Sequence, residues 1–333
     1  MNRKSSSLSV AGSLVGLALP AAMVAGPAHA DTGWTPSEPV EYIAPANPGG
    51  GWDTLVRTTS QVIQENELAP VNFPPINVPG GGGAVAWAQI AADAGNPHKL
   101  FATSPPIILV PLSGQSEYNH QDFTPIARLI TDYAILLVRA DSPYETASDL
   151  FDAIEENPSL AVGGGSAPGS MDHIAAADAA QAAGIDASTV NYIAFSGGGE
   201  AMTNLLGGHV EAVMTGAGEA VGQLEGDDIR ALGVSAPERI DALPDVPTFE
   251  EQGIDHTFEI WRGVMGPPDM PEEAVAYYEE LFAEVLETES WIEARDQLGW
   301  LNAYQNSEEF GEFLDGQLDQ FESILSDLGL LEQ

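Results

Sequence analysis

Four glycine-rich segments stand directly before runs with a helical pattern, and their backbone could bind an anion. We call residues 48–51, 79–83, 163–170 and 196–199 the first, second, third and fourth glycine loops. Glycine lets the backbone approach a ligand closely, and the first turn of a helix presents unpaired N–H groups at the positive end of its dipole. The loops therefore predict a carboxylate site formed by the main chain.

The residues that would transform such a ligand are missing, so the sequence predicts a binding protein and not an enzyme. No Gly-Lys pair occurs, which excludes a Walker phosphate loop, and Thr54 and Val85 stand where a dinucleotide fingerprint needs its third glycine. Pro168 stands where a serine nucleophile elbow based on Ser166 needs a glycine. The histidines are scattered, so we expect no metal and no cofactor.

The N-terminus has the pattern of a secretory signal. Arg3 and Lys4 precede an apolar run, and the small-x-small triplet of residues 28–30 follows it. Cleavage after Ala30 is predicted, which makes residues 1–30 a signal peptide and the periplasm the destination. The sequence contains no cysteine, so the exported protein has no disulfides.

The formal net charge is −40, from 50 acidic and 10 basic residues. Nucleic acids and anionic membranes are poor partners for such a surface, because both require a positive patch. At 1 M salt the Debye length falls to about 3 Å, which screens distant charges but not a ligand in contact with N–H groups. Our hypothesis is a halophilic source. An unfolding midpoint that does not rise between low and molar salt would contradict it.

Short strands alternate with helices along most of the chain, which predicts an α/β fold with mostly parallel sheets flanked by helices. Ligands of such folds bind beyond the carboxyl ends of the strands, where the glycine loops lie. The longer apolar runs at 126–138 and 258–265 are predicted to cross between two domains. After residue 268 we expect only helices.

Two side chains beside the loops allow two interpretations each. His173 lies near the start of the helix after the third loop, where it could contact the ligand or simply cap and pack. Asp53 lies in the first turn of its helix, four residues before Arg57. It could bond a ligand hydroxyl, but a bracing role is favoured because a carboxylate repels an anion.

The chain resembles the substrate-binding proteins of tripartite tricarboxylate transporters. The family pattern Pro-x-x-Pro-Gly-Gly-x-x-Asp stands here at residues 45–53, and Asn-x-Pro-Gly stands at 77–80. Residues 164–173, 205–211 and 243–248 also resemble segments of this family. The resemblance extends in order over nearly the whole mature chain. It implies a type II, flytrap-like periplasmic binding protein with two lobes. Residues 31–130 plus 258–333 would form lobe 1, with residues 131–257 inserted as lobe 2.

The resemblance also implies a ligand site between the lobes. The implied ligand-binding residues, together with His173, are Ala46, Asn47, Gly50, Asp53, Thr103, Ser104, Ser166, Gly169, Ser170, Ser196, Gly197, Thr215 and Gly216.

The function implied is capture of a small carboxylate, citrate or another tricarboxylate by default, and its delivery to a permease with a large and a small transmembrane subunit. We expect a monomer. Many relatives have Tyr-Lys-Gly where residues 195–197 read Phe-Ser-Gly, so one cationic side chain is absent. Two alternatives remain open. One is an exported lyase or transferase using Ser166 and His173, and the other is a sensory module for a membrane kinase.

Overall fold

The computed structural model describes residue 1 and residues 33–331. The predicted signal peptide and its cleavage site therefore lie, apart from residue 1, outside the described residues. Within this part of the chain the strands are β1 (Glu41–Ala44), β2 (Pro75–Asn77), β3 (Lys99–Thr103), β4 (Thr124–Arg139), β5 (Ala161–Gly164), β6 (Asn191–Ala194), β7 (Ala212–Gly216), β8 (Ile229–Val234), β9 (Glu259–Gly266) and β10 (Leu301–Gln305).

Helices follow most of these strands. They are α1 (Gly51–Glu65), α2 (Ala84–Ala91), α3 (Pro106–Leu112), α4 (Ala147–Glu156), α5 (Met171–Ala182), α6 (Gly198–Leu206), α7 (Ala217–Leu224), α8 (Glu272–Glu287), α9 (Glu289–Gln297) and α10 (Ser307–Asp327). No helix of the described residues is both long enough and apolar enough to span a membrane.

The strands form one mixed sheet in the order β2-β1-β3-β9-β4-β7-β5-β6, with β10 and β8 also paired to β4. Pairs among β1, β2 and β3 are parallel, as are those among β5, β6 and β7. Every pair that involves β4 or β9 is antiparallel. The predicted α/β fold is confirmed, with two parallel groups of strands joined through an antiparallel centre.

Strand β4 belongs to both groups. Its first part pairs with β9, from Thr124 opposite Gly266 to Tyr133 opposite Glu259. Its second part pairs with β7, beginning at Ala134. The strand is almost wholly buried, which matches the near-continuous apolar run expected of a central strand. The two long apolar runs of the sequence are thus the strands that connect the groups.

Alternate residues of β4 enter different hydrophobic clusters. Ile135 and Leu137 pack in a smaller cluster with residues of α6 and α7. Leu136 and Val138 pack in the large cluster, which extends to Trp261 and the helices around it. Successive side chains of a strand point to opposite faces, so this division places an apolar layer on each side of the sheet.

Three elements differ from the sequence-based expectation. Strand β10 lies in the C-terminal region for which only helices were expected, where it pairs with β4. The helices α3 and α7, which follow β3 and β7, were not identified from the sequence. Pro105 and Pro106 stand at the start of α3, where the missing N–H of proline is tolerated.

Candidate functional site

The four glycine loops meet around a cavity of about 270 Å³. Each loop follows a strand at its carboxyl end and leads into a helix. Gly51 of α1, Met171 of α5 and Gly198 of α6 are the first residues of their helices, and all three contribute to the cavity wall. Three helix N-termini therefore lie at one small space.

Asp53 holds the first glycine loop in shape. Its carboxylate accepts hydrogen bonds from Gly49 N (2.9 Å), from Arg57 Nε (2.8 Å) and from Asn77 Nδ2 (2.9 Å). Asn77 Nδ2 also donates to Ala46 O at 3.0 Å. Burial raises the pKa of Asp53, but these hydrogen bonds outweigh it and keep the pKa below its ordinary value. Asp53 lies behind the cavity wall, as the bracing interpretation requires.

The first and fourth loops touch backbone to backbone. Asn47 N donates to Ser196 O at 3.2 Å, and a Cβ atom at Gly50 would lie 3.6 Å from Gly198 N. The third and fourth loops are closer still, because a Cβ atom at Gly165 would overlap the backbone of the fourth loop. Glycine is therefore needed here for close approach of chains.

Ser166 and His173 hold the third loop in place. The Ser166 hydroxyl accepts from Asp172 N at 3.0 Å and lies 3.3 Å from the Tyr192 hydroxyl. His173 Nδ1 accepts from Gly169 N at 2.8 Å, and its ring stacks on Tyr192 with centroids 4.7 Å apart. Burial lowers the pKa of His173. Capping and packing explain its position without a ligand.

A buried cluster of charges closes one end of the cavity. Arg262 of β9 donates from Nη1 to Asp132 Oδ2 at 2.8 Å and from Nη2 to Glu219 Oε1 at 3.4 Å. Its guanidinium also lies 5.6 Å from the centre of the Trp300 ring. Asp172 belongs to the same wall. One cation thus faces three carboxyl groups.

Both Asp172 and Glu219 have raised pKa values. Burial and the charge of Glu219 raise the pKa of Asp172 to about 8, although Gly165 N–H, Arg262 and Ser166 act in the opposite direction. Burial also raises the pKa of Glu219 to about 7. The charge of Arg262 lowers this pKa, and the charge of Asp132 raises it. Near neutral pH the ligand-free cluster therefore retains protons.

The structure distributes the predicted ligand-binding residues between the wall and the layer behind it. Those in the wall are Ala46, Gly50, Ser104, Ser166, Ser196 and Gly197. Those outside the wall are Asn47, Asp53, Thr103, Gly169, Ser170, His173, Thr215 and Gly216. Thr103 Oγ1 and Ser170 Oγ are buried and have no hydrogen-bond partner among residues 33–331. A direct ligand contact remains a prediction for every residue of both groups.

Sequence reasoning missed several wall residues, above all Arg262 and Asp172. Trp52 also lines the cavity, and its Nε1 donates to Ser104 Oγ at 2.9 Å. One signal was available, since each of the two long apolar runs carries two opposite charges, Arg128 and Asp132 in the first and Glu259 and Arg262 in the second. Charged residues are almost never fully buried unless they are paired, so each predicts a partner.

A family model described as "Tripartite tricarboxylate transporter family receptor" matches residues 67–330. Among solved structures, a TctC solute-binding protein from Polaromonas is 30% identical with a TM-score of 0.61, covering 88% of this chain and 99% of that chain. The periplasmic binding protein BugD shares 21% identity with a TM-score of 0.82, covering 90% of this chain and 100% of that chain.

MatC from Rhodopseudomonas palustris, with bound malate, is 23% identical with a TM-score of 0.76 and covers 87% of this chain and 99% of that chain. At such identities the likeness to BugD and MatC shows the fold. That fold is the α/β architecture of two-lobe periplasmic binding proteins, as the sequence predicts. The family and the similar structures are solute-binding proteins and not enzymes.

Proposed function

We propose, because this chain belongs to the tripartite tricarboxylate transporter receptor family, that it captures a small carboxylate in the periplasm. It then delivers the ligand to a permease made of a large and a small transmembrane subunit. The export pattern at the N-terminus supports the location, and the malate bound to the similarly folded MatC supports the ligand class.

One observation carries the choice of ligand. The helices α1 and α6 begin at the cavity with glycine caps, Gly50 and Gly197, and neither has a side-chain capping bond. The first N–H groups of a helix lack intrahelical partners, and the dipole adds a partial positive charge. A carboxylate oxygen is the natural acceptor for such groups.

The cavity is small and poor in free cations. Its volume of about 270 Å³ lies below the usual range of ligand pockets, roughly 300 to 1,000 Å³. Arg262 is the one basic residue among the described wall residues, and Asp132 and Glu219 already pair with it. We therefore propose that a fully ionised tricarboxylate such as citrate binds more weakly than an acid with fewer charges.

Ligand capture is proposed to join two lobes, residues 31–130 plus 258–333 and residues 131–257. Hydrogen bonds that cross between them at the cavity include those from Asn47 N to Ser196 O (3.2 Å), from Gln115 Nε2 to Pro168 O (2.6 Å) and from Arg262 Nη1 to Asp132 Oδ2 (2.8 Å). A ligand that contacts both lobes stabilises the closed form, because only that form offers all the contacts.

The test is a thermal-shift screen of mono-, di- and tricarboxylates in molar salt, followed by calorimetric titration of every acid that shifts the midpoint. A binder at 100 times its Kd should stabilise the protein by about 2.7 kcal/mol. We expect a 1:1 stoichiometry and no product in the recovered ligand. Absence of any stabilising carboxylate would contradict the proposal, and turnover would favour the enzyme alternative.

A further inference from the structure

Acids as well as N–H groups line the cavity, and the Glu219 carboxyl lies at the starts of α1 and α6. The charged residues among the described wall residues are Asp172, Glu219 and Arg262. Asp172 is 1% exposed, and the Glu219 side chain is 7% exposed. Two nearly buried carboxyl groups therefore flank the space that the ligand occupies.

Arg262 does not neutralise both of them. Its two terminal nitrogens bond Asp132 Oδ2 and Glu219 Oε1, and its Cζ lies 5.6 Å from the Trp300 ring centre. Asp132 is itself fully buried, and its Oδ1 accepts from Gly218 N at 3.2 Å. Asp132 therefore already neutralises the charge of Arg262, without Asp172.

One oxygen of each wall acid has no hydrogen-bond partner in the described residues. These atoms are Asp172 Oδ1 and Glu219 Oε2. The Thr215 hydroxyl and the Gly51 N–H form hydrogen bonds with the Glu219 carboxyl that lower its pKa. The Gly165 N–H and the Ser166 hydroxyl do the same for Asp172. Buried polar atoms normally have a partner, and a buried carboxylate is costly without one. The chemical complement of two such oxygens is a cationic donor.

We propose that the ligand carries an ammonium group as well as its carboxylate, and that Asp172 and Glu219 bind the ammonium. The glycine loops would hold the carboxylate in the same cavity. This inference rests on the proposed function, because it narrows the ligand of that site to amino acids.

The proton affinity of the cluster agrees with this assignment. The groups that act on Asp172 are Glu219, Arg262 and the Tyr192 hydroxyl, and those that act on Glu219 include Asp132. With pKa values of about 8 and 7, the two acids bind protons more readily at neutral pH than ordinary carboxyl groups do. An ammonium favours their ionised forms, so its binding should release protons and tighten as the pH rises from 6 to 8.

The experiment compares four ligands of the same chain length by calorimetric titration. Butyrate has one carboxylate, succinate adds a second, and 4-aminobutyrate and 2-aminobutyrate add an ammonium at different positions. At least one aminobutyrate should bind about tenfold or more tightly than butyrate, the effect of hydrogen bonds to charged groups. Titrations in buffers of different protonation enthalpy should show proton release for that ligand.

Two nearly isosteric variants test the residues. Asp172→Asn and Glu219→Gln should each reduce the preference for the aminobutyrate over butyrate at least fivefold and weaken its pH dependence. Circular dichroism spectra like that of the unsubstituted protein would show that both variants still fold. Glu225→Gln, at the exposed end of α7, is the matched control and should change neither quantity.

The outcomes separate the two proposals. Succinate binding more tightly than both aminobutyrates would overturn the ammonium assignment while supporting a carboxylate receptor. It would indicate that the protonated acids donate to a second carboxylate. An aminobutyrate preference unchanged in both variants would also overturn the assignment. Failure of all four ligands and of the wider carboxylate screen would contradict the proposed function itself.

Discussion

Helices that begin at the cavity differ from helices that begin elsewhere on the molecule. At α4, Thr146 Oγ1 accepts from Asp149 N at 3.1 Å, and the Asp149 carboxylate accepts from Thr146 N at 2.8 Å. Asn306 and Glu309 form the same reciprocal capping box at α10. The cavity helices α1 and α6 instead have glycine caps without a side-chain acceptor.

The difference shows what each helix start does. A side-chain cap satisfies N–H groups permanently, and its loss to alanine costs about 1 kcal/mol. A glycine cap costs only a few tenths of a kcal/mol relative to such a residue and supplies no side-chain acceptor. The N–H groups then bond other acceptors, as the Gly51 N–H does with the Glu219 carboxyl. The starts of α4 and α10, away from the cavity, thus have side-chain caps, whereas the starts of α1 and α6 at the cavity lack them.

The largest effect should come from a methyl group at an open helix start. A Cβ atom at Gly198 would overlap the Glu219 carboxylate and lie 2.8 Å from Thr215 Oγ1. Gly198→Ala should reduce the affinity for the carboxylate found in the screen more than about 100-fold, because the Glu219 carboxyl and the N–H groups of the helix start would both be displaced. Calorimetric titration measures it.

The control for this variant is Gly316→Ala. A Cβ atom there meets nothing within 4 Å in the exposed middle of α10, so the change should stabilise the protein slightly and leave binding intact. Normal affinity of Gly198→Ala would mean that the start of α6 is not part of the site.

A cap introduced at the cavity should give a smaller effect. Gly50 has φ −86° and ψ 170°, which suits asparagine, and its added Cβ would lie at an ordinary 3.6 Å from Gly198 N. In Gly50→Asn the side chain should accept from the first turn of α1, keep or raise the melting temperature, and weaken carboxylate binding about tenfold. Increased stability with unchanged affinity would break the proposed distinction between open and closed helix starts.

Acids in first helical turns extend the comparison to pH. The exposed Asp149 has a lowered pKa because of its hydrogen bonds with Thr146 and Glu145, so its contribution to stability is lost as the pH falls through that pKa. Asp172 and Glu219 have raised values of about 8 and 7. The folded state then binds more protons than the unfolded state above roughly pH 4, so their effect lowers the free energy of unfolding as the pH rises to about 8.

Thermal melts of the ligand-free protein at pH 5.5, 7 and 8.5 should therefore show a falling midpoint. Asp172→Asn should make the decline shallower. An equal slope in the variant would show that Asp172 titrates as an ordinary carboxyl group.

Loss of a closed cap should have the smallest effect. Thr146→Ala removes the acceptor for Asp149 N at the start of α4, and the expected cost is about 1 kcal/mol, with no change in ligand affinity. Chemical denaturation and calorimetric titration measure the two quantities. A binding defect as large as that of Gly50→Asn would show that both helix starts act only through stability.

Local sequence patterns predicted the alternation of strands and helices, because these strands and helices depend mainly on residues that are close in sequence. The run that precedes the first glycine loop became β1, and residues 147–156 became α4 with the bounds expected. Strand β10 could not be recognised in the same way, because Leu301 and its neighbours extend by pairing with Thr131 and Ile130, far away in sequence.

The sequence predicted the main-chain part of the site but not its buried charged side chains. Glycine loops can be recognised from the sequence, and the family resemblance then placed Gly50 and Gly197 in the site. The cluster around Arg262 needs strand register, which places Ile130 opposite Arg262 and Asp132 opposite Ile260. Only that pairing brings one cation and its acids to the cavity.

The paired course of β4 and β9 has a consequence for how the molecule moves. These two strands carry the chain into and out of residues 140–258, and they are hydrogen-bonded side by side from Thr124 to Tyr133. Both must therefore bend at the same level, which allows one easy direction of rotation. We expect the empty protein to open into a second well-defined shape. A membrane protein could then distinguish the ligand-bound protein from the empty protein by its shape, without contacting the ligand.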